Sequence, residues 1–155
     1  MFQDEVRATQ ALGVAGEPSK AIHSYYNTFA GLASDDNVKF GGFVFSSTDA
    51  NAKEFEAVGA NGGNILGICI KDRAFYGNGV SAAVPKGMPI TICNAGNVYI
   101  ETEKVAKRGQ SVEVDTTTGE VTFADAAGAN ASGWYVVVGN ATAAKGVIEI
   151  STAKL

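Results

Sequence analysis

A proline-fixed corner constrains the fold of this chain more than any other feature of its sequence. Pro85 and Pro89, two of only three prolines, stand on either side of Gly87. Because proline fixes its own φ angle and lacks a backbone N–H, residues 84–88 are predicted to form a rigid turn outside any central strand ladder. Residues 90–101 then show an alternating run of β-branched side chains, a turn rich in Asn and Gly, and a second alternating run. This pattern predicts a β-hairpin entered through the proline corner.

Short apolar runs separated by turns recur along the chain. The clearest are residues 111–115 and 120–123, which alternate polar and apolar side chains on either side of a Thr-Gly turn and therefore predict a hairpin. In the last run, Ile148 and Ile150 are predicted to face inward and Glu149 outward. Further strands are predicted at 39–45, with a bulge at its glycine pair, and at 64–70, 80–84, 134–138 and 146–151.

Two segments are ambiguous in this pattern. Residues 52–58 suit a helical turn, but their apolar positions also alternate, and a strand paired with residues 39–45 is favoured. Residues 21–37 fit either a helix or an irregular loop and are not assigned. With 155 residues, 19 glycines and only 18% charged residues, the chain fits one domain of many short elements. Roughly eight to ten short strands predict an all-β fold, a single compact β-barrel or sandwich of short antiparallel strands over residues 21–155.

The first 20 residues are predicted to form an extended N-terminal arm. Small residues and glycines interrupt any helical or strand period there, so the arm has little apolar area to bury against its own domain. We expect it to contact a neighbouring molecule: its glycines permit close backbone approach, its proline fixes the exit, and its widely spaced apolar side chains serve as anchors. A frayed terminus is the alternative. The predicted partner-contacting residues are Val6, Leu12, Gly13, Val14, Gly16 and Pro18.

Charge and hydropathy argue against two classes of partner. The net charge of −4 and a pI near 4.9 do not suit nucleic acid, because affinity for phosphates comes mainly from clustered Lys and Arg. The small basic cluster at Lys104, Lys107 and Arg108 is predicted to be a solvated loop, with contact to an acidic partner as the alternative. No apolar run approaches the roughly 18 residues of a membrane span. The first residues are acidic and polar, so no secretory signal is expected.

The sequence offers little for catalysis. It lacks a nucleophile elbow, a phosphate-binding loop and any Cys or His cluster at metal-ligand spacing, so no cofactor or metal is expected and the chain is predicted not to be an enzyme. A small hydrolase using His23, the only histidine, stays open as a minor alternative. Cys69 and Cys93 lie inside apolar runs and are predicted to be buried thiols rather than a disulfide. Asp35 and Asp36 have no calcium loop around them.

Four ordered motifs resemble the structural cement proteins of tailed phages, small all-β proteins that decorate and stabilise the capsid. The similarity runs along some 140 residues. The arm motif is matched by Ala11, Leu12, Val14, Ala15 and Gly16, and the Val-Pro-x-Gly-x-Pro run by Val84, Pro85, Gly87, Pro89, Ile90, Thr91 and Ile92, followed by Gly96 and Tyr99. The Thr-Gly hairpin is matched by Thr118, Gly119, Val121, Phe123 and Ala124, and the closing strand by Ile148, Ile150 and Ser151.

The resemblance implies a structural rather than a catalytic function. It implies a decoration protein that binds the major capsid protein on the outer surface of the head at subunit junctions, with the virion as its location after assembly in the host bacterial cytoplasm. It also implies a homo-oligomer, with a trimer favoured and a dimer as the alternative. A carbohydrate-binding β-module is the competing hypothesis, using exposed aromatics such as Tyr25, Tyr26, Tyr76 or Trp134.

Overall fold

The fold is built from short strands and turns, as the spacing of apolar runs predicts. The structure is a computed structural model that describes residues 13–19, 26–71 and 83–153. Its strands are β1 (Asn27–Ala33), β2 (Phe43–Ser46), β3 (Glu56–Val58), β4 (Ile65–Ile70), β5 (Pro89–Ala95), β6 (Asn97–Thr102), β7 (Ser111–Val114), β8 (Val121–Ala124), β9 (Ala131–Val138) and β10 (Gly146–Ser151). The predicted all-β class is confirmed.

The strands form two sheets. One closes into a five-stranded barrel in the order β1-β3-β2-β4-β5, and the other is a five-stranded sheet in the order β6-β10-β9-β7-β8. Neighbouring strands are antiparallel except β1 and β3, which pair in parallel at Leu32 with Glu56 and Ala33 with Ala57. The first five strands of the chain thus form the barrel, and the last five form the sheet.

Two hydrophobic cores explain why β2 and β4 are apolar on both faces. Val44 and Cys69 face the barrel interior together with buried residues of the other three barrel strands. Phe43, Phe45 and Ile68 point the other way and pack against the inner face of the five-stranded sheet. Since both faces of β2 and β4 are covered, their sequences are continuous apolar runs rather than alternating ones.

The hairpin predicted within residues 90–101 is wrong. Both strands exist, but β5 pairs with β1 and β4 in the barrel, whereas β6 pairs with β10 in the sheet. The chain crosses between sheets at Gly96, which has a φ of 138°. Its N–H donates to the Thr152 hydroxyl and its carbonyl accepts from the Thr152 N–H, so the corner is held by the end of β10 rather than by a two-residue turn.

Other strand predictions hold with adjusted bounds, except the one at 80–84: residues 80–82 lie outside the described residues, and Ala83 forms an isolated bridge with Lys39 rather than a strand. β7 and β8 form the predicted hairpin, with Val112 opposite Phe123. Residues 56–58 form the predicted partner of β2, with Phe45 opposite Val58. Ile148 and Ile150 are fully buried, as predicted for the last strand. Residues 39–42 form a turn rather than the first half of a strand, because Gly41 adopts a φ of 76°. The unassigned segment contains β1.

Candidate functional site

The described end of the predicted arm lies along the free side of β6. The Gly16 N–H donates to the Tyr99 carbonyl at 2.8 Å, the Tyr99 N–H donates to the Glu17 carbonyl at 3.0 Å, and the Ser19 N–H donates to the Asn97 carbonyl at 2.9 Å. Pro18 forms a bridge opposite Val98. Residues 13–19, hereafter the docked segment, thus add a short strand to the edge of the five-stranded sheet.

The docked segment also contacts the barrel. The Lys71 N–H, just beyond β4, donates to the Gly16 carbonyl at 2.8 Å. Gly16 has a φ of 86°, and a Cβ there would lie 2.8 Å from the Gly41 backbone nitrogen. A Cβ on Gly13 would lie 2.4 Å from the ring of Tyr99. Both glycines are therefore required for close approach, and the contact they permit is to their own sheet and barrel.

A small polar cluster anchors the segment on the outer face of the sheet. The buried Ser19 hydroxyl donates to the Glu149 carboxylate at 2.5 Å. The Asn97 side-chain amide donates to the same Glu149 oxygen at 3.4 Å, and the Ser151 hydroxyl donates to the Asn97 amide oxygen at 2.6 Å. The Tyr26 hydroxyl donates to the Ser19 carbonyl. Each polar group of the cluster therefore exchanges its bonds with water for a bond within the protein.

The structure brings together four of the six predicted contact residues. Gly13, Gly16 and Pro18 all lie in the docked segment, and Val14 projects from it with 47% of its surface exposed. Val6 and Leu12 lie outside the described residues. Sequence reasoning missed Ser19 and Glu149, because a serine and a carboxylate 130 positions apart carry no local signal.

A second tie joins the two sheets at the β7–β8 turn. The Asn61 N–H donates to the Thr117 carbonyl at 3.0 Å, and the Gly62 N–H donates to the Thr116 carbonyl at 3.1 Å. The Thr117 N–H donates to the Asp115 carboxylate at 2.8 Å, and this bond lowers the pKa of Asp115. The barrel and the sheet are thus joined by hydrogen bonds at the docked segment and at this turn, in addition to their shared core.

The aromatic residues of the carbohydrate hypothesis do not form a platform in the described part of the chain. Trp134 is 2% exposed, and its ring packs edge-on against Phe43 with 6.4 Å between centroids. Tyr26 is partly buried and its hydroxyl is engaged with Ser19. Tyr25 and Tyr76 lie outside the described residues. Sugar binding needs exposed aromatic faces, and the buried ring of Trp134 offers none. Trp134 is therefore a core residue.

The remaining candidates for chemistry have structural roles where they are described. His23 lies outside the described residues. Asp35 accepts from the Gly59 N–H at 3.0 Å, and Asp36 accepts from the Lys86 N–H at 3.2 Å, so both carboxylates hold turns. Within residues 13–19, 26–71 and 83–153, no group of three His, Cys, Asp or Glu could hold a metal ion. The described part of the chain contains no helix with the length and hydropathy that a membrane crossing requires.

The thiols and the basic cluster are likewise accounted for. Cys69 and Cys93 are free and buried, as predicted. Burial raises the pKa of the Cys69 thiol to about 12 and also raises that of Cys93, so both are held as neutral thiols at neutral pH. Lys104 forms an ion pair with Glu120, whereas Lys107 is exposed, as expected for a solvated loop.

Comparison with known proteins gives a family and a fold. A family model described as structural cement protein (E217 gp24/Pam3 gp6) matches residues 2–153. Among solved structures, a chain from the structure titled "The capsid of Myoviridae Phage XM1" matches with a TM-score of 0.64 and 18% sequence identity, covering 99% of this chain and 98% of that chain. At this identity the structural match shows a shared fold. No sequence among curated proteins matches the chain.

Proposed function

This chain belongs to the structural cement protein family, and from that membership we propose that it binds the outer surface of a phage head at subunit junctions and stabilises the shell. The observation that carries the proposal is the family match over nearly the whole chain. The described residues, with buried thiols and carboxylates engaged in turns, supply a rigid shape rather than a reactive centre.

The architecture suits a protein that resists distortion. One shared core and two sets of inter-sheet hydrogen bonds tie the barrel to the sheet, so a load applied to one is transmitted to the other. A ligand that binds only the intact shell stabilises it by mass action, and many identical copies multiply a modest contact.

We place the arm at the contact with the neighbouring molecule. Gly13, the first described residue of the arm, is held against Tyr99 at the edge of the sheet. Val14, exposed beside this point, supplies apolar area for a partner. A few hundred Å² buried there would contribute several kcal/mol at about 25 cal/mol per Å², less the cost of ordering the chain. Deleting residues 2–12 keeps the docked segment and should weaken head binding without changing the melting of the free protein.

We propose a trimer as the functional oligomer, with a dimer as the alternative. Closed symmetry matches the symmetric junctions of a shell. Multi-angle light scattering of the free protein distinguishes the two, and a monomer at micromolar concentration would mean that the oligomer forms only on the capsid.

The proposed function is tested with expanded heads that lack this protein. Purified protein is added at increasing concentration, and the melting temperature of the heads is measured by calorimetry alongside the amount of protein that sediments with them. We expect saturable binding accompanied by a rise in the melting temperature of the heads. Heads that neither bind the protein nor melt later would contradict the proposal.

A further inference from the structure

Within the part of the chain that the structure describes, the first half of β1 has a free edge. β1 pairs with β5 along nearly its whole length but with β3 only at Leu32 and Ala33. The Leu32 N–H donates to the Phe55 carbonyl, which marks the side of β1 that faces β3. Since the backbone groups of alternate residues in a strand point to the same side, those of Thr28 and Ala30 also point there. Among the described residues, no backbone hydrogen bond reaches them.

This free edge, residues 27–30, is exposed and uncharged. All four residues of the edge are exposed, and Phe29 within it and Phe55 beside it expose 38% and 50% of their surfaces. The side chain of Phe29 lies on the same face of the sheet as Gly31. A Cβ added to Gly31 would meet the side chain of Ile92 in the barrel core. Soluble proteins commonly protect such edges with lysine or proline, and the sequence Asn-Thr-Phe-Ala contains neither.

A second copy of this chain fits the free edge poorly. In a twofold antiparallel pairing centred on Phe29, Asn27 of one copy would lie opposite Gly31 of the other. That position is already occupied, because the parallel register of β1 with β3 places Phe55 beside Gly31, with its carbonyl oxygen 3.4 Å from where a Gly31 Cβ would be. In this register self-pairing would collide at both ends, whereas a separate short strand that ends opposite Ala30 meets no such obstacle.

We propose that the free edge of β1 pairs with a short extended segment of the phage shell protein. This inference rests on the proposed function and names the part of the surface that carries it. The backbone groups of Thr28 and Ala30 bond the added strand, and its apolar side chain packs against Phe29 and Phe55. The segment is uncharged where it pairs with residues 27–30, because those residues carry no charge to compensate one that loses water. A cation does lie at Phe55, where Lys53 Nζ is 5.7 Å from the ring centroid.

The first test uses lysine as a block to strand addition. The double variant Thr28→Lys with Ala30→Lys changes two exposed side chains on the free edge, and Asn94→Lys, an exposed position on β5, is the matched control. Affinity for expanded heads is measured by quantitative sedimentation, with melting of each free variant as the check on folding. We expect the double variant to bind at least about tenfold more weakly and the control to bind as the wild type does.

Wild-type affinity in a folded double variant would overturn the strand pairing while leaving the proposed function standing. A wild-type protein that does not bind heads would overturn both. If sedimentation shows that the free wild type self-associates and the double variant does not, the occupant is a second copy and the inference is wrong.

The second test reads the backbone directly. The amide protons of Thr28 and Ala30 should exchange rapidly in the free protein and become protected on decorated heads. The amide protons of Phe29 and Gly31 face β5, because they point to the same edge of β1 as the Ala33 N–H, which donates to the Met88 carbonyl. These two amide protons should be protected in both states. Unchanged exchange at Thr28 and Ala30 on decorated heads would contradict the inference.

Discussion

The carbonyl of Gly16 accepts a 2.8 Å hydrogen bond from the backbone N–H of Lys71, while the N–H of Gly16 donates to Tyr99. A single residue is thereby bonded to the end of a barrel strand on one side and to the edge of the five-stranded sheet on the other. Gly16 achieves this with a φ of 86° and with the backbone of Gly41 in close contact. The end of the predicted arm therefore forms part of the junction between the sheets.

Replacing Gly16 with alanine should loosen this junction. The new Cβ would lie 2.8 Å from the Gly41 nitrogen, in addition to the strain of a positive φ. Gly87→Ala is the matched control, because Gly87 has a φ of 87° and no atom within 4 Å of its would-be Cβ. We expect a loss of about 1 kcal/mol in the control and about 2–4 kcal/mol in Gly16→Ala, measured by denaturant unfolding. Equal losses would show that the close contact contributes nothing.

The local strand pattern was predictable from the sequence, but the pairing of distant strands was not. The β7–β8 hairpin is predicted well because its turn chemistry and alternation lie within about a dozen residues. β5 and β6 look like the same kind of hairpin, yet Gly96 sends them into different sheets. The feature that decides their pairing is the contact of Gly96 with Thr152, 56 positions away, and no local pattern encodes it.

The candidate site was predictable only in part for the same reason. The sequence identified Gly13 and Gly16 as positions of close approach and Pro18 as the residue that fixes the exit of the arm. The sequence did not show that the surface they approach is their own β6, nor that Glu149 anchors the segment. Both are long-range contacts that only the closed fold creates.

Substitutions at Gly13 and Tyr99 should have coupled effects on the free energy of unfolding. Gly13→Ala places a Cβ 2.4 Å from Tyr99 Cδ2, so the docked segment must lift from β6. Tyr99→Ala removes the ring and should make the same glycine substitution nearly neutral. A double-mutant cycle on the free energy of unfolding should give a coupling of about 1 kcal/mol or more, and additive effects would argue against the contact.

The Ser19 hydroxyl should stabilise the fold measurably. Ser19→Ala removes the shorter of the two hydrogen bonds that the Glu149 carboxylate accepts, from Ser19 and Asn97, at a site where Ser19 is only 6% exposed. We expect a loss of about 1.5–3 kcal/mol, as for a hydrogen bond to a charged group. Ser47→Ala is the comparison, since that hydroxyl only accepts a 3.3 Å bond from Asp49 in an exposed turn, and its loss should stay within about 0.5 kcal/mol. Equal destabilisation of the two variants would be the contrary result.

Stability should fall in alkaline solution because of the buried thiols. The pKa of Cys69 is raised from its ordinary value of 9.0 to about 12, so above pH 9 the unfolded chain loses a proton that the folded chain keeps. The stabilisation is complete below pH 9 and decreases by about 1.4 kcal/mol per pH unit up to pH 12. Cys69→Ala should flatten this slope, whereas an identical slope in the variant would assign the alkaline loss to other groups.

Binding at subunit junctions on the outside of the head is the central claim, and a cryo-electron microscopy reconstruction of expanded heads with and without added protein tests it most directly. We expect difference density on the outer surface that spans neighbouring capsid subunits and fits the barrel and the five-stranded sheet, with the docked segment at its base. Difference density confined to one subunit or lying inside the shell, or none at saturating protein, would contradict it.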